Sequence, residues 1–84
     1  MDVSVVVPTL NGRERLVRTL DALGEHAPGA EVVVVNGPSA DGTTGMVRAH
    51  DDVDVLVEVS TRTLNVARNA GIRTASGDVV AFVG

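Results

Sequence analysis

Cysteine, lysine, tryptophan and tyrosine are all missing from this chain of 84 residues, and Phe82 is its one aromatic residue. Without cysteine there is neither a disulfide nor a thiolate that could act as a nucleophile or metal ligand. A single aromatic residue offers no platform on which the bases of single-stranded nucleic acid stack. The formal net charge of −4 also argues against a basic surface for nucleic-acid backbones. These absences exclude disulfide scaffolds, cysteine-dependent enzymes and general nucleic-acid binders.

All seven positive charges belong to arginine side chains. The guanidinium group is planar and holds a phosphate through two parallel hydrogen bonds, so phosphate binding stays open despite the acidic balance. No apolar run approaches the ~20 residues that span a bilayer, and no charged and apolar leader precedes the first predicted strand. We therefore expect a cytoplasmic domain, with the inner face of the membrane as an alternative location for a longer protein.

Hydrophobic periodicity predicts four strands that alternate with three helices. The strands are expected at residues 3–7, 31–35, 53–59 and 79–83. The helices are expected at residues 13–25, 43–50 and 64–76. Right-handed crossovers make such a sheet parallel, with helices on both faces. The fold class is α/β, a Rossmann-like three-layer α/β/α arrangement whose strand order, by analogy with other open sheets, is 3-2-1-4 with a crevice between strands one and four.

Single residues indicate where these elements begin and end. Pro8 is expected to stop the first strand, because proline cannot donate a backbone hydrogen bond. Asn11 or Gly12 is expected to cap the first helix, and Asp41 to cap the second. Gly77 is expected to end the third helix in the left-handed conformation.

The outer strands differ from the inner ones. The third strand alternates apolar residues with Asp54 and Glu58, which is typical of an edge. The third helix carries Ala67, Ala70 and Gly71, small residues that allow close contact with the sheet. A fourth strand left uncovered on one side predicts that the chain self-associates or is only marginally folded.

Polar residues gather where the predicted strands end, which is where ligands bind in an open parallel sheet. The candidates are Thr9 and Asn11 in the first turn, Asn36, Ser39 and Asp41 in the second, and residues 62–69 in the third. Such a set can hydrogen-bond a base, a ribose and a diphosphate. The sequence has neither the Gly-x-Gly-x-x-Gly loop nor the glycine-lysine loop, so the two commonest phosphate cradles are absent.

Four segments in order resemble the N-terminal half of family 2 glycosyltransferases. They are VVVPTLNGR at residues 5–13, VNGPSADGT at 35–43, NVARNAGI at 65–72 and ASGDVVAFV at 75–83. The resemblance implies a GT-A fold in which residues 1–84 form the nucleotide-sugar-binding half, truncated before the acidic metal-binding motif. It also implies that the parent enzyme transfers a sugar from a nucleotide diphosphate donor to a saccharide or lipid-linked acceptor, with inversion.

The resemblance further implies which residues bind the donor. The turn at residues 8–11 and the loop at residues 36–41 flank the nucleoside, and Arg68 lies near the base or the diphosphate. The implied site residues are Pro8, Thr9, Asn11, Asn36, Ser39, Asp41 and Arg68. Asn36 and Gly37 stand where many members carry two carboxylates, which leaves the preferred base open.

Catalysis in the family also uses a divalent metal, Mg²⁺ or Mn²⁺, held on the diphosphate by an acidic cluster, and a carboxylate base. Gly84 falls where that cluster begins. The metal ligands and the base are therefore expected outside this chain, which alone is expected to be inactive.

Other interpretations stand beside these. Asn11 and Asp41 also suit helix caps, Arg68 suits an ion pair with a surface carboxylate, and Asp78 begins a strand at the edge opposite the crevice. The alternative function is a non-catalytic remnant or nucleotide-binding module that keeps the fold. A nucleotidyltransferase is disfavoured, because the first turn lacks the glycine-rich basic loop that surrounds a triphosphate.

Overall fold

A computed structural model describes residues 3–10, 12–38, 42–60 and 62–83 of the chain. The strands are β1 (Val3–Thr9), β2 (Glu31–Asn36), β3 (Val55–Glu58) and β4 (Val79–Phe82). The helices are α1 (Arg13–His26), α2 (Thr43–Ala49) and α3 (Leu64–Thr74). The predicted alternation of four strands and three helices is confirmed. None of the described helices has the length and apolar character needed to cross a membrane.

The four strands form one parallel sheet in the order β3-β2-β1-β4, which confirms the predicted order. Valine fills the interior of both central strands, and Val5 to Val7 and Val32 to Val35 are all buried. A strand that is apolar on both faces belongs at the centre of a sheet covered by helices. β3 is half-exposed and lies at one edge, as its alternating charges predict.

Each face of the sheet carries its own apolar cluster. The α1 and α2 face buries Val5, Val7, Leu16, Leu20, Val32, Val34 and Val47. The α3 face buries Val6, Val33, Val35, Ala67 and Ala70. Successive residues of β1 and β2 therefore alternate between the two clusters, as the period of a strand requires.

Small residues bring α3 close to the sheet, as predicted. Ala67, Ala70 and Gly71 are its buried residues. A Cβ atom added to Gly71 would lie 2.3 Å from Cγ1 of Val6 and 3.2 Å from Cγ2 of Val35. Only glycine fits at this contact without a shift of the helix.

The prediction that Pro8 ends the first strand is wrong, because β1 continues to Thr9 and Pro8 pairs with Val35. Val6 O accepts a hydrogen bond from Val83 N, whereas Thr9 O accepts one from Gly37 N. The N–H and C=O groups of successive residues in a strand point to opposite neighbouring strands, so Pro8 faces the same neighbour as Val6. The N–H that Pro8 lacks would therefore point toward β4. β4 has ended at that level, at Phe82. Proline is tolerated where no ladder hydrogen bond is lost.

Two predicted helix ends also differ from the structure. α3 ends at Thr74, and Gly77 is not left-handed; Gly42 is the glycine with positive φ within the described ranges. Gly77 is needed for a close approach, because an added Cβ would lie 2.7 Å from the Ser4 backbone nitrogen. The N-cap of α2 is Gly42 rather than the predicted Asp41, which lies outside the described residues.

Candidate functional site

A crevice of about 230 Å³ opens at the carboxyl edge of the sheet, on the face covered by α3. The turn after β1, the turn after β2 and the first residues of α3 form its walls. Its lining residues are Pro8, Thr9, Leu10, Gly37, Arg62, Thr63, Leu64 and Ala67. The structure thus brings Pro8 and Thr9 together with the predicted 62–69 region.

The turns after β1 and β2 are joined by their backbones. Gly37 N donates to Thr9 O at 2.9 Å, which continues the ladder one step beyond the paired residues Thr9 and Asn36. This hydrogen bond holds the two turns together beside the crevice.

Asn36 lies behind the two turns and does not line the crevice. Asn36 is only 2% exposed, and its Nδ2 donates a hydrogen bond to Thr44 Oγ1, in the first turn of α2, at 2.8 Å. Its backbone O accepts from Val59 N at 3.0 Å, which fixes the chain leaving β3. Asn36 therefore connects β2, α2 and the segment after β3. A direct contact with a nucleoside stays a prediction.

Arginines flank the turn after β1 from both faces of the sheet. Arg62 lines the crevice on the α3 face. On the opposite face, Arg15 borders a recess of about 110 Å³ that also includes Pro8 and Thr9. Two guanidinium groups therefore lie beside one turn at the carboxyl edge, although the chain as a whole is acidic.

Arg68 lies one residue beyond the crevice wall, on the β4 side. Its Cζ atom is 5.6 Å from the centre of the Phe82 ring. Its Nε atom is buried and has no hydrogen-bond partner within the part of the chain that the structure describes. Buried polar groups are usually paired, so the unpaired Nε of Arg68 is an exception that calls for an explanation.

Asn11, Ser39 and Asp41 lie outside the described residues, and their predicted roles stay predictions. Asp78 directly precedes β4 and lies at the amino edge of the sheet, opposite the crevice, as predicted. Within residues 3–10, 12–38, 42–60 and 62–83, no group of three or more histidine or acidic side chains could hold a metal ion. The described residues therefore do not fit a metal centre.

Leu10 and Gly37 lie within the predicted turn and loop but were not named as site residues, and Phe82, beside Arg68, was not predicted to have a role here. Leu10 and Gly37 line the crevice through apolar surface and backbone, which leave no polar signal in a sequence. Phe82 did leave a signal, because it is the single aromatic residue and it ends the fourth strand.

The sequence profile described as glycosyl transferase family 2 matches residues 4–84. The chain belongs to glycosyl transferase family 2. The glycosyltransferase AglE of Haloferax volcanii is 35% identical over 88 aligned positions, which cover 96% of this chain and 29% of AglE. This family 2 chain therefore spans less than a third of the length of that relative.

Solved structures agree with the family assignment. TarS from S. aureus superposes with a TM-score of 0.87 at 29% identity, over 99% of this chain and 16% of TarS. The mannosyltransferase PcManGT from Pyrobaculum calidifontis, in complex with GDP-Man and Mn²⁺, gives a TM-score of 0.81 at 37% identity, over 93% of this chain and 25% of PcManGT. The family 2 chain has the α/β architecture of the N-terminal portion of a GT-A glycosyltransferase, as predicted.

Proposed function

We propose that this chain is the donor-binding portion of an enzyme that transfers a sugar from a nucleotide diphosphate sugar to an acceptor, with inversion at the anomeric carbon. The observation that carries the proposal is the crevice at the carboxyl edge, walled by the turns after β1 and β2 and by the start of α3. This is the edge at which open parallel sheets bind nucleotides.

The chemistry of the edge suits a nucleotide diphosphate. Thr9 and Thr63 carry hydroxyl groups beside the crevice, and Leu64 adds an apolar wall against which a base or ribose can pack. Arg62 and Arg68 supply charge for phosphate oxygens, which arginine binds through paired N–H groups. We propose Pro8, Thr9, Asn36 and Arg68 as donor-site residues, together with Asn11, Ser39 and Asp41.

The size of the crevice indicates which part of the donor it holds. Complete small-molecule pockets measure roughly 300–1,000 Å³, whereas this crevice measures about 230 Å³. We infer that it accommodates the nucleoside and part of the diphosphate, and that other residues of the parent enzyme hold the sugar. The solved complex of PcManGT with GDP-Man and Mn²⁺ supports a sugar nucleotide as ligand and a divalent metal as partner. The described residues offer no metal site, so other residues of the parent enzyme would hold such a metal, which would neutralise the leaving diphosphate.

The proposal is tested by calorimetric titration of the 84-residue chain with UDP, GDP and dTDP, each with and without Mn²⁺. Circular dichroism first establishes that the chain is folded. We expect saturable binding of one nucleotide in preference to the others. Arg68→Ala is expected to weaken that binding at least tenfold, because a hydrogen bond to a charged group contributes about 1.5–3 kcal/mol.

Arg73→Ala is the matched control, because Arg73 is an exposed arginine in the last turn of the same helix, far from the crevice. It is expected to leave the affinity unchanged. Equal losses in both variants would show a non-specific charge effect and contradict the proposal. A folded chain that binds none of the three nucleotides would favour a remnant that keeps the fold without the donor site.

A further inference from the structure

The guanidinium group of Arg68 lies over the ring of Phe82, with 5.6 Å between the Arg68 Cζ atom and the ring centre. This separation falls inside the ~6 Å within which an arginine is attracted to the face of an aromatic ring. We call these two residues the Arg68–Phe82 pair. Phe82 is 42% exposed, so the pair lies at the surface rather than in the core.

Both members of the pair are anchored on the same residue of the sheet. Phe82 pairs with Val6 in the β1–β4 ladder, and the next residue, Val83, donates its N–H to Val6 O at 3.1 Å. On the other side, Gly71 sets α3 directly against the Val6 side chain. The segments that carry Arg68 and Phe82 are therefore both placed by contacts with Val6, and the Arg68 side chain reaches the Phe82 ring from this position.

The pair leaves the charge of Arg68 uncompensated by protein. No ion pair between Arg68 and a described carboxylate occurs, and its Nε–H is buried without an acceptor among the described residues. A carboxylate at position 82 would also fix the guanidinium group, but it would occupy the N–H groups and neutralise the charge. An aromatic ring contacts the face of the guanidinium group and accepts none of the hydrogen bonds that its N–H groups offer in the guanidinium plane.

We propose that Phe82 is a positioning residue for the donor site: its ring orients the Arg68 guanidinium so that the N–H groups are ready for a phosphate oxygen of the donor. The inference rests on the proposed function for its ligand. It adds a residue that contacts no substrate and acts through Arg68. Pre-organisation of this kind raises affinity by lowering the entropy lost on binding.

The first test measures nucleotide diphosphate affinity for single and double variants. Phe82→Leu keeps the apolar volume and removes the ring, and we expect it to weaken binding about two- to fivefold. Phe82→Tyr keeps the face of the ring and is expected to bind with the same affinity as wild type. The double variant Arg68→Ala, Phe82→Leu is expected to bind as Arg68→Ala does, because Phe82 acts only through Arg68.

Ile72→Ala serves as the matched control, because Ile72 is an apolar residue of α3 with a similar exposure of 46%. It is expected to change the affinity less than Phe82→Leu does. If Phe82→Leu binds as tightly as wild type while Arg68→Ala binds more weakly, the positioning role is overturned and the donor site stands.

The second test needs no nucleotide and reads the pair directly by NMR. The protons of the Arg68 side chain are expected to show a ring-current shift that disappears in Phe82→Leu and persists in Phe82→Tyr. Absence of that shift in the wild type overturns the inference whatever the affinities are. Pyrophosphate is then added as a probe, and the chemical-shift change of the Arg68 Nε–H is measured. A smaller change in Phe82→Leu than in wild type supports the positioning role even if no nucleotide binds. Failure of every nucleotide to bind would refute the proposed function but not the positioning role.

Discussion

Val6 is the residue at which β1, β4 and α3 meet, and Gly71 is its contact in α3. An added Cβ at Gly71 would lie 2.3 Å from Val6 Cγ1, whereas nothing lies within 4 Å of the corresponding position at Gly45 in α2. These two of the helical glycines therefore have opposite roles. Gly71 is required by close contact with the sheet, and Gly45 only weakens its helix.

We expect Gly71→Ala to destabilise the chain and Gly45→Ala to stabilise it. Forcing an extra carbon into a filled contact costs about 1–3 kcal/mol, from which alanine's better helix propensity recovers about 1 kcal/mol. The net loss for Gly71→Ala is up to about 2 kcal/mol, and the gain for Gly45→Ala is about 0.5–1 kcal/mol. Urea titration of both variants measures these free energies of unfolding. A gain in both would show that α3 moves away from Val6 at no cost.

Glu31 connects three segments at the amino edge of the sheet. Its Oε1 accepts from Ser4 Oγ at 2.7 Å and from Ser76 N at 2.9 Å, and its Oε2 accepts from Ser76 Oγ at 2.9 Å. Ser4 Oγ in turn accepts from Gly77 N at 2.8 Å. The Ser76 backbone N–H, followed by the Ser4 and Ser76 hydroxyls, lowers the pKa of Glu31 below its ordinary value of 4.5.

This lowered pKa predicts a pH dependence of stability. The folded state favours the carboxylate more than the unfolded state does, so the stabilisation is present above pH 4.5 and is lost as the pH falls through the folded-state pKa. Glu31→Gln is expected to lower the thermal midpoint at pH 7, and the difference from wild type is expected to shrink as the pH falls below 4.5 and through the lowered folded-state pKa. Glu25→Gln, an exposed carboxylate of α1, is the control. A constant difference at all pH values would contradict the role of the charge.

At the scale of elements, the two edges of the sheet differ in how they are protected. The β3 edge carries charge: Glu58 forms an ion pair with Arg48 at 3.3 Å, and Asp54 Oδ2 accepts from Val32 N at 2.7 Å. The residues of β4 itself carry no charge, and Val79 and Phe82 are exposed apolar side chains, with the Arg68 guanidinium over the Phe82 ring. An uncharged open edge is the place at which strands from other molecules add.

Self-association through β4 is therefore the expected behaviour of the isolated chain. Val79→Lys places a charge on the most exposed apolar residue of the edge, at 58% exposure, and is expected to shift the population toward monomer. Val66→Lys, on an exposed position of α3, is expected to have a smaller effect. Sedimentation velocity over a range of concentrations measures both. A wild-type chain that stays monomeric and melts cooperatively at every concentration would refute this prediction.

The elements were predictable where a local pattern determines them. Valine runs identify the central strands, and the charges of Asp54 and Glu58 identify the edge strand. Prediction failed at Pro8 and Gly77, because both positions depend on a neighbour distant in sequence. Pro8 is tolerated in β1 because β4 ends at Phe82, and Gly77 is required because Ser4 lies against it. Neither contact is visible in the local sequence.

The same distinction applies to the candidate site. Strand ends predicted the edge, but the crevice was expected between β1 and β4, whereas its described walls are the turns after β1 and β2 and the start of α3. The burial of Asn36 behind Thr44 and the stacking of Arg68 on Phe82 were not predictable, because each depends on how two distant elements approach each other.

At the scale of the whole molecule, the two apolar clusters share β1 and β2 and form one structure. We expect a single unfolding transition in which both faces are lost together. Leu20, fully buried on the α1 face, provides the test. Leu20→Ala is expected to cost about 2–5 kcal/mol, a large share of the roughly 4–13 kcal/mol that a domain of this size possesses.

Hydrogen exchange measures whether this loss is shared. Amides of α3, on the opposite face, are expected to lose protection in Leu20→Ala by as much as amides of β1 do. Leu64→Ala is the control, because Leu64 is 50% exposed and belongs to neither cluster. Retained protection in α3 would show that the two faces unfold separately.

The parallel pairing of β1 with β4 has a consequence for synthesis of the protein. β1 is central in the sheet, but it leaves the ribosome first, and its partner residues Val79 to Phe82 are made last of the four strands. At roughly 5–20 residues per second, β1 waits several seconds for β4. During that time one side of a valine-rich strand lacks its final neighbour. Slow translation of the segment between β2 and β4 would prolong the exposure of β1. Chaperone contact with nascent β1 would cover the exposed strand during that time.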